Sequence, residues 1–206
     1  MKPIVKIDKI DKSFGDGTVL NAFSLDIYPG EILVIMGASG AGKSTLLNLI
    51  AGLEKPDAGT ITYDEAIFES VRVPFPFVFQ ESESLPDWLN VRENIALVAP
   101  DASDSEIDQI LGAVELSEHA KKYPPELSGG MKQRLGIARA LICRSKVVLM
   151  DEPFASLDEE MRLRLQNFLI DLQKRLGFTV VLVTHDSREA ERMASRVVTL
   201  SGVSAS

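Results

Sequence analysis

The stretch GASGAGKST, Gly37 to Thr45, constrains this chain more than any other segment. Gly37, Gly42, Lys43 and Ser44 satisfy the spacing G-x-x-x-x-G-K-[ST] in full. The run before it, EILVIMG, is continuously apolar, as expected of a strand buried on both faces in a parallel sheet. The run after it, KSTLLNLIAG, reads as a helix that stops at Gly52. A glycine-rich turn between such a strand and helix lets several backbone N–H groups converge on one phosphate chain, helped by the positive end of the helix. Gly37, Ala38, Ser39, Gly40, Ala41, Gly42, Lys43, Ser44 and Thr45 are therefore the expected nucleotide-binding residues. Lys43 supplies a cation for the terminal phosphates, and Ser44 offers its hydroxyl to Mg²⁺.

The surrounding pattern predicts an α/β layered architecture. Residues 4 to 28 alternate, as strands with one covered face do. GTITYDEA and VPFPFVFQ are short strand candidates, the second broken by Pro74 and Pro76. From about Ser84 to Ala140 the character turns helical: Ile107, Ile110, Leu111 and Val114 fall at helical spacing, and MKQRLGIARALI reads as a second helix. KVVLMDEP and FTVVLVTHD return to continuous buried strands. Between them EEMRLRLQNFLIDLQKRLG predicts a helix with Leu165, Phe168, Leu169, Leu172 and Leu176 inward and Gly177 as its stop. SRVVTLSG predicts a last strand, and VSAS a tail. The expected organisation is one domain over 1–206. Two α/β portions (about 1–84 and 141–202) enclose a helical lobe (about 85–140), and 203–206 form the tail.

Ligands in such sheets bind at the carboxyl ends of the strands, and four further polar groups are expected at that edge. VVLMDEP ends in two adjacent acids, Asp151, placed to hold Mg²⁺, and Glu152, aimed at an attacking water. His185 ends VVLVTH, where it can hydrogen-bond a terminal phosphate or that water. Gln80 ends FVFQ and can reach metal and water. His119, in SEHAKKY, reads as structural, and Cys143, within ALICRSKVVLMD, as a buried small hydrophobe. A second phosphate-grasping turn, LSGGMKQR, stands at Leu127 to Arg134. Ser128 there suits a helix N-cap, but a cap alone does not require Gly129 and Gly130.

GASGAGKST, FVFQ, LSGGMKQR, VVLMDEP, SLD and THD, in that order, resemble the nucleotide-binding subunit of an ABC transporter over nearly the whole chain. LSGG is the specific element. The resemblance implies a P-loop NTPase core with a parallel sheet, an N-terminal antiparallel β subdomain and an inserted α-helical subdomain. It also explains the second cradle. In such ATPases two domains face each other head to tail, so Ser128, Gly129 and Gly130 would close over ATP held by the partner's phosphate loop. By the same resemblance Phe14, in KSFGDG, stacks on adenine, although many relatives have tyrosine there. Ser156 to Asp158 cross the dimer interface, with Asp158 among the nucleotide-site residues. Lys43, Gln80, Glu152 and His185 are catalytic, and Ser44, Gln80 and Asp151 bind metal. ESESLPDWLNVRENI matches the segment that touches the membrane subunit. Trp88 in it suits a docking anchor and a core aromatic equally well.

The implied activity is Mg²⁺-dependent ATP hydrolysis driving transport, at the cytoplasmic face of a membrane. The implied partners are a second ATP-binding subunit, integral permease subunits and, indirectly, a solute-binding protein. LPDWLNVRENIAL, the methionine after LSGG and DEPFASLDEEMR are similar to importers of the nitrate, sulfonate, taurine and bicarbonate class. The lipoprotein-release and cell-division branch commonly has Glu-Gln after LSGG. The compact segment between Thr60 and Gln80 and the short tail depart from the importer pattern, and the short tail leads to the expectation of no C-terminal regulatory domain. The net charge of −8 disfavours nucleic acid as a partner, as does the lack of a long coiled-coil or zinc insertion of the DNA-repair type. One cysteine allows neither an intrachain disulfide nor a thiolate zinc cluster. No signal peptide and no run of membrane-spanning length is read in the chain.

Overall fold

In the computed structural model the parallel sheet is built on β3 (Ile32–Met36). The structure describes residues 1–15, 17–69, 71–79, 85–155 and 157–200. Five strands pair in parallel: β5 (Phe77–Phe79), β6 (Val147–Asp151), β7 (Thr179–Thr184), β3 and β8 (Arg196–Thr199), in that spatial order. Successive side chains of the central strands enter opposite cores, as the strand period requires. Ile32, Val34, Val148, Met150, Val180 and Leu182 face one core, and Leu33, Ile35, Val147, Leu149, Val181 and Val183 the other. With both faces covered, the middle of each central strand is continuously apolar, and the polar Thr179, Thr184 and Asp151 fall at strand ends.

The first core is closed by α2 (Val91–Val98), α3 (Asp104–Ala113), α4 (Gly129–Leu141), α5 (Glu159–Leu176) and α6 (Ser187–Met193). The second is closed by α1 (Lys43–Ile50) and an antiparallel sheet of β2 (Gly17–Ile27), β1 (Val5–Phe14) and β4 (Ala58–Tyr63), with β1 in the middle. The fold is therefore α/β, with a parallel sheet, a separate antiparallel sheet and flanking helices, as expected. Gly59 has no substitute where β4 meets the bulged part of β1. Its φ is +80°, and a Cβ there would stand 2.3 Å from Lys9 O.

Two helices absent from the sequence reading have local causes. α2 carries a full capping box: Asn90 accepts from Glu93 N, and the Glu93 carboxylate accepts from Asn90 N. α6 starts at Asp186, whose side chain accepts from Arg188 N. One expectation is corrected. Leu176 does not point inward; it is exposed, because it occupies the last turn of α5 just before the left-handed Gly177 (φ +74°) turns the chain away. Leu165, Leu169 and Leu172 are buried, and Phe168 is partly so. Cys143 is buried, its thiol held above the ordinary range by desolvation, and its Sγ lies 3.2 Å from Arg139 O.

Candidate nucleotide site

The phosphate loop sits where the sheet's neighbours bring other motif ends beside it. Met36, the residue before the loop, pairs with Thr184, and Val183 pairs with Asp151. The residues that follow these strand ends are Gly37, His185 and Glu152, so three segments far apart in sequence meet at one sheet edge.

The loop's glycines are required by space as well as by conformation. Gly40 and Gly42 have φ of +78° and +89°, a region L side chains avoid. A Cβ on Gly42 would lie 2.3 Å from Val19 Cγ1 of β2, and one on Gly37 would lie 2.8 Å from Leu200 O. Gly42 is also the N-cap of α1, so no side chain occupies the first N–H groups of that helix, and its first turn contains no acid. A free helix N-terminus of this kind is suited to an anion. Lys43 is 7% exposed; its Nζ donates to Gly37 O at 2.9 Å and Ala38 O at 3.0 Å. The ammonium is thus tucked against the inside of the loop, where the sequence reading has it extended toward phosphate.

Glu152 lies under this cation. Its Oε1 is 3.8 Å from Lys43 Nζ and its Oε2 is 3.1 Å from His185 Nδ1. The Glu152 backbone is left-handed, with φ +45°, and its N–H is bonded to Val183 O at 3.0 Å. Such a conformation costs a non-glycine residue about 1–3 kcal/mol and persists only where the surroundings enforce it. Here it turns the carboxylate back over the strand end, toward Lys43. His185 is 62% exposed at the side chain, so the imidazole stands at the open mouth of the site with the carboxylate behind it. Asp151 is the half-buried last residue of β6, and Ser44 is exposed in the first turn of α1. A hydroxyl and a carboxylate are hard oxygen donors of the kind that hold Mg²⁺ together with phosphate oxygens and water. Thr45 is half-buried, while Ala38 and Ser39 are exposed and Ala41 is buried. Phe14 is 51% exposed, with Lys12 Nζ 5.0 Å from its ring centroid, so it is no core residue. Gln80 and Ser156 lie outside the described residues.

Ser128 caps α4, its Oγ accepting from Met131 N at 3.3 Å. The two glycines after it also have reasons within the chain. A Cβ on Gly129 would come within 3.3 Å of Leu157 Cδ2, and one on Gly130 within 2.3 Å of Met161 Sδ. Asp158 caps α5, accepting from Met161 N at 2.9 Å. The turn at Ser128 and the segment at Leu157 are therefore packed together, which their sequence separation did not announce. Arg162 and Glu189, which connect to these segments, carried no signal in the sequence reading. Trp88 is 77% exposed, which removes the core alternative.

A family model for ABC transporters matches residues 20–155. The chain belongs to the ABC transporter family. This ABC transporter chain is 44% identical over 187 residues to the aliphatic sulfonates import ATP-binding protein SsuB of Ralstonia nicotianae, covering 91% of this chain and 66% of the relative. It is 40% identical over 207 residues to the spermidine/putrescine import ATP-binding protein PotA of Chromobacterium violaceum, covering 96% of this chain and 57% of the relative. The chain thus spans about two thirds or less of the length of these curated relatives. A dimeric ATP-binding cassette, solved in a post-hydrolysis state bound to ADP and Pi, superposes with a TM-score of 0.77 at 31% identity. That match covers 96% of this chain and 94% of the other. Among the described residues no helix is long and apolar enough to cross a membrane.

Proposed function

We propose that this chain binds and hydrolyses ATP as a subunit of an importer for a small solute. The observation that carries the reading is the row Lys43–Glu152–His185 beneath a loop whose N–H groups open onto a helix terminus. Gly37 to Thr45 hold the phosphates, and Phe14 supports the adenine. Ser44, Asp151 and Gln80 hold Mg²⁺, which when bound supplies positive charge to the phosphate oxygens. Glu152 orients and polarises the attacking water, and His185 donates a hydrogen bond toward the terminal phosphate. Lys43 moves its ammonium charge from the loop carbonyls to the phosphates, where it stabilises developing negative charge.

Ser128, Gly129, Gly130 and Asp158 serve the nucleotide of a second ATP-binding subunit, as the dimeric neighbour with ADP and Pi supports. Closure of two such subunits around ATP drives a membrane permease, which Trp88 and its neighbours contact, at the cytoplasmic face. A solute-binding protein delivers cargo to that permease. Two relatives of nearly equal identity are named for an anion and a polycation. The cassette's similarity therefore does not select the cargo; the residues around Trp88 and the Met after LSGG favour the sulfonate and nitrate class. The test is phosphate release from Mg–ATP by the purified chain beside its Glu152→Gln variant. Hydrolysis in the first and its loss in the second is the expected result; no release from either overturns the reading.

A further inference from the structure

Arg162 stands in the first turn of α5, with a side chain only 18% exposed. Its Nη2 donates to Leu157 O at 3.2 Å, and its Nη1 donates to Asp186 Oδ2 at 3.3 Å. Its Nε lies 3.8 Å from the buried carboxylate of Glu189. Asp186 is the residue after His185. It is itself fixed, since its N–H donates to Thr184 Oγ1 at 3.0 Å and its Oδ1 accepts from Arg188 N at 2.9 Å. The same guanidinium therefore anchors the turn that presents His185 to Glu152 and the segment that runs through Leu157 to Asp158. Leu157 and Met161, on either side of Asp158, are also the groups against which Gly129 and Gly130 pack.

We propose that Arg162 is a positioning residue for hydrolysis, coupling the His185–Glu152 pair to the Leu157–Asp158 segment. The inference rests on the ATPase reading above and deepens it. If Gly129, Gly130 and Asp158 serve a partner's nucleotide while Glu152 and His185 serve this chain's own, one half-buried fork links the two pockets within a single chain. The role asks for arginine in particular. Only a planar group with several fixed donors reaches a carbonyl on one side and a carboxylate on another; a lysine ammonium is a single point charge.

The experiment is steady-state hydrolysis of Mg–ATP by the full chain, with the affinity of a fluorescent ATP analogue measured in parallel. In Arg162→Met, kcat should fall at least tenfold, toward the ~10²-fold loss that a misplacement of about 1 Å brings. Nucleotide affinity should stay at the wild-type value, and the Hill coefficient for ATP should drop toward one. Arg162→Lys should recover part of kcat. Asp186→Asn, which keeps the helix-cap acceptor, should show the same split, and the double variant should be no worse than the poorer single one. Wild-type kcat and Hill coefficient in Arg162→Met overturn the inference, as do losses that multiply in the double variant or that appear equally in affinity. If Arg162→Met fails to fold, Asp186→Asn decides alone, and normal kcat there overturns it. Absence of hydrolysis in the wild type overturns the proposed function itself; hydrolysis that is lost in Glu152→Gln but intact in Arg162→Met overturns only the role of Arg162.

Discussion

Glu152 is held between two cationic or proton-bearing groups, with Oε1 3.8 Å from Lys43 Nζ and Oε2 3.1 Å from His185 Nδ1. The carboxylate is mostly shielded, while the imidazole is largely exposed. That order puts the carboxylate inside and the imidazole at the mouth. Glu152→Gln keeps the shape and removes the charge. Its kcat for ATP should fall by about 10²–10⁴-fold, the range for loss of a general base. ATP binding should persist, since Lys43 then loses its only ion-pair partner among the described residues and is freer to engage phosphate. Turnover near wild type in phosphate release would take Glu152 out of this role.

Gly42 joins two demands, a φ of +89° and a contact with Val19. Gly42→Ala should cost about 2–4 kcal/mol, combining left-handed strain with overpacking. Val19→Ala in the same chain removes the clash but not the strain. It should restore about 1–2 kcal/mol of the loss once its own effect is subtracted. Urea unfolding midpoints of the four proteins measure this. A Gly42→Ala variant as stable as wild type would contradict the geometry of the loop.

Ser128→Arg should abolish hydrolysis while leaving the chain's own phosphate loop able to bind nucleotide. Lys43→Ala should abolish hydrolysis by the opposite route. Mixed together, the two inactive proteins form heterodimers with one intact composite pocket, and activity should return. If mixing restores nothing although the variants dimerise, the Ser128 turn does not serve a partner's nucleotide.

The strands were readable because burial on both faces favours unbroken apolar runs, as in Ile32–Met36 and the Val147–Met150 stretch of β6. The loop from Gly37 to Thr45 was readable because its spacing is itself the geometry. The start of α2 is marked in the sequence by Asn90 and Glu93, three residues apart, which form the reciprocal cap. α6 is a seven-residue helix that buries only Glu189, Ala190 and Met193 and so shows little apolar period. Leu176 fits the stripe of α5 yet lies exposed, because the helix outlasts the core beneath it. The paths of Arg162 to Leu157 and Asp186 depend on how α5 packs against the turn after β7, and residue order does not contain that. Trp88, suited by its sequence context to a core and to a docking surface alike, is exposed, and so is Phe14.

Glu106 carries the clearest acid sensitivity. Its carboxylate meets Arg144 and Arg72 and accepts from Ser103 N, and these contacts pull its pKa down to about 2, with the Arg144 hydrogen bond foremost. A depressed carboxylate stabilises the fold above its unfolded pKa, and the contribution is lost as pH falls through the folded value. Stability should therefore decline from about pH 4.5 toward pH 2, and Glu106→Gln should flatten that decline. Urea midpoints at pH 5 and pH 3 for both proteins check it; equal slopes would show that the cluster of Arg72, Arg144 and Glu106 adds nothing.

Trp88 is the sole tryptophan and 77% exposed, on the segment leading into α2. A surface side chain of this kind should contribute within about 0.5 kcal/mol to stability, so Trp88→Ala should unfold at the wild-type temperature and hydrolyse ATP normally when free. Its intrinsic fluorescence should be readily quenched by acrylamide. An exposed aromatic that anchors a partner loses that accessibility on docking. Quenching should therefore fall when the protein is reconstituted with the permease proposed above, and Trp88→Ala should bind that permease more weakly. Unchanged quenching in a complex that does form would place the contact elsewhere on the surface.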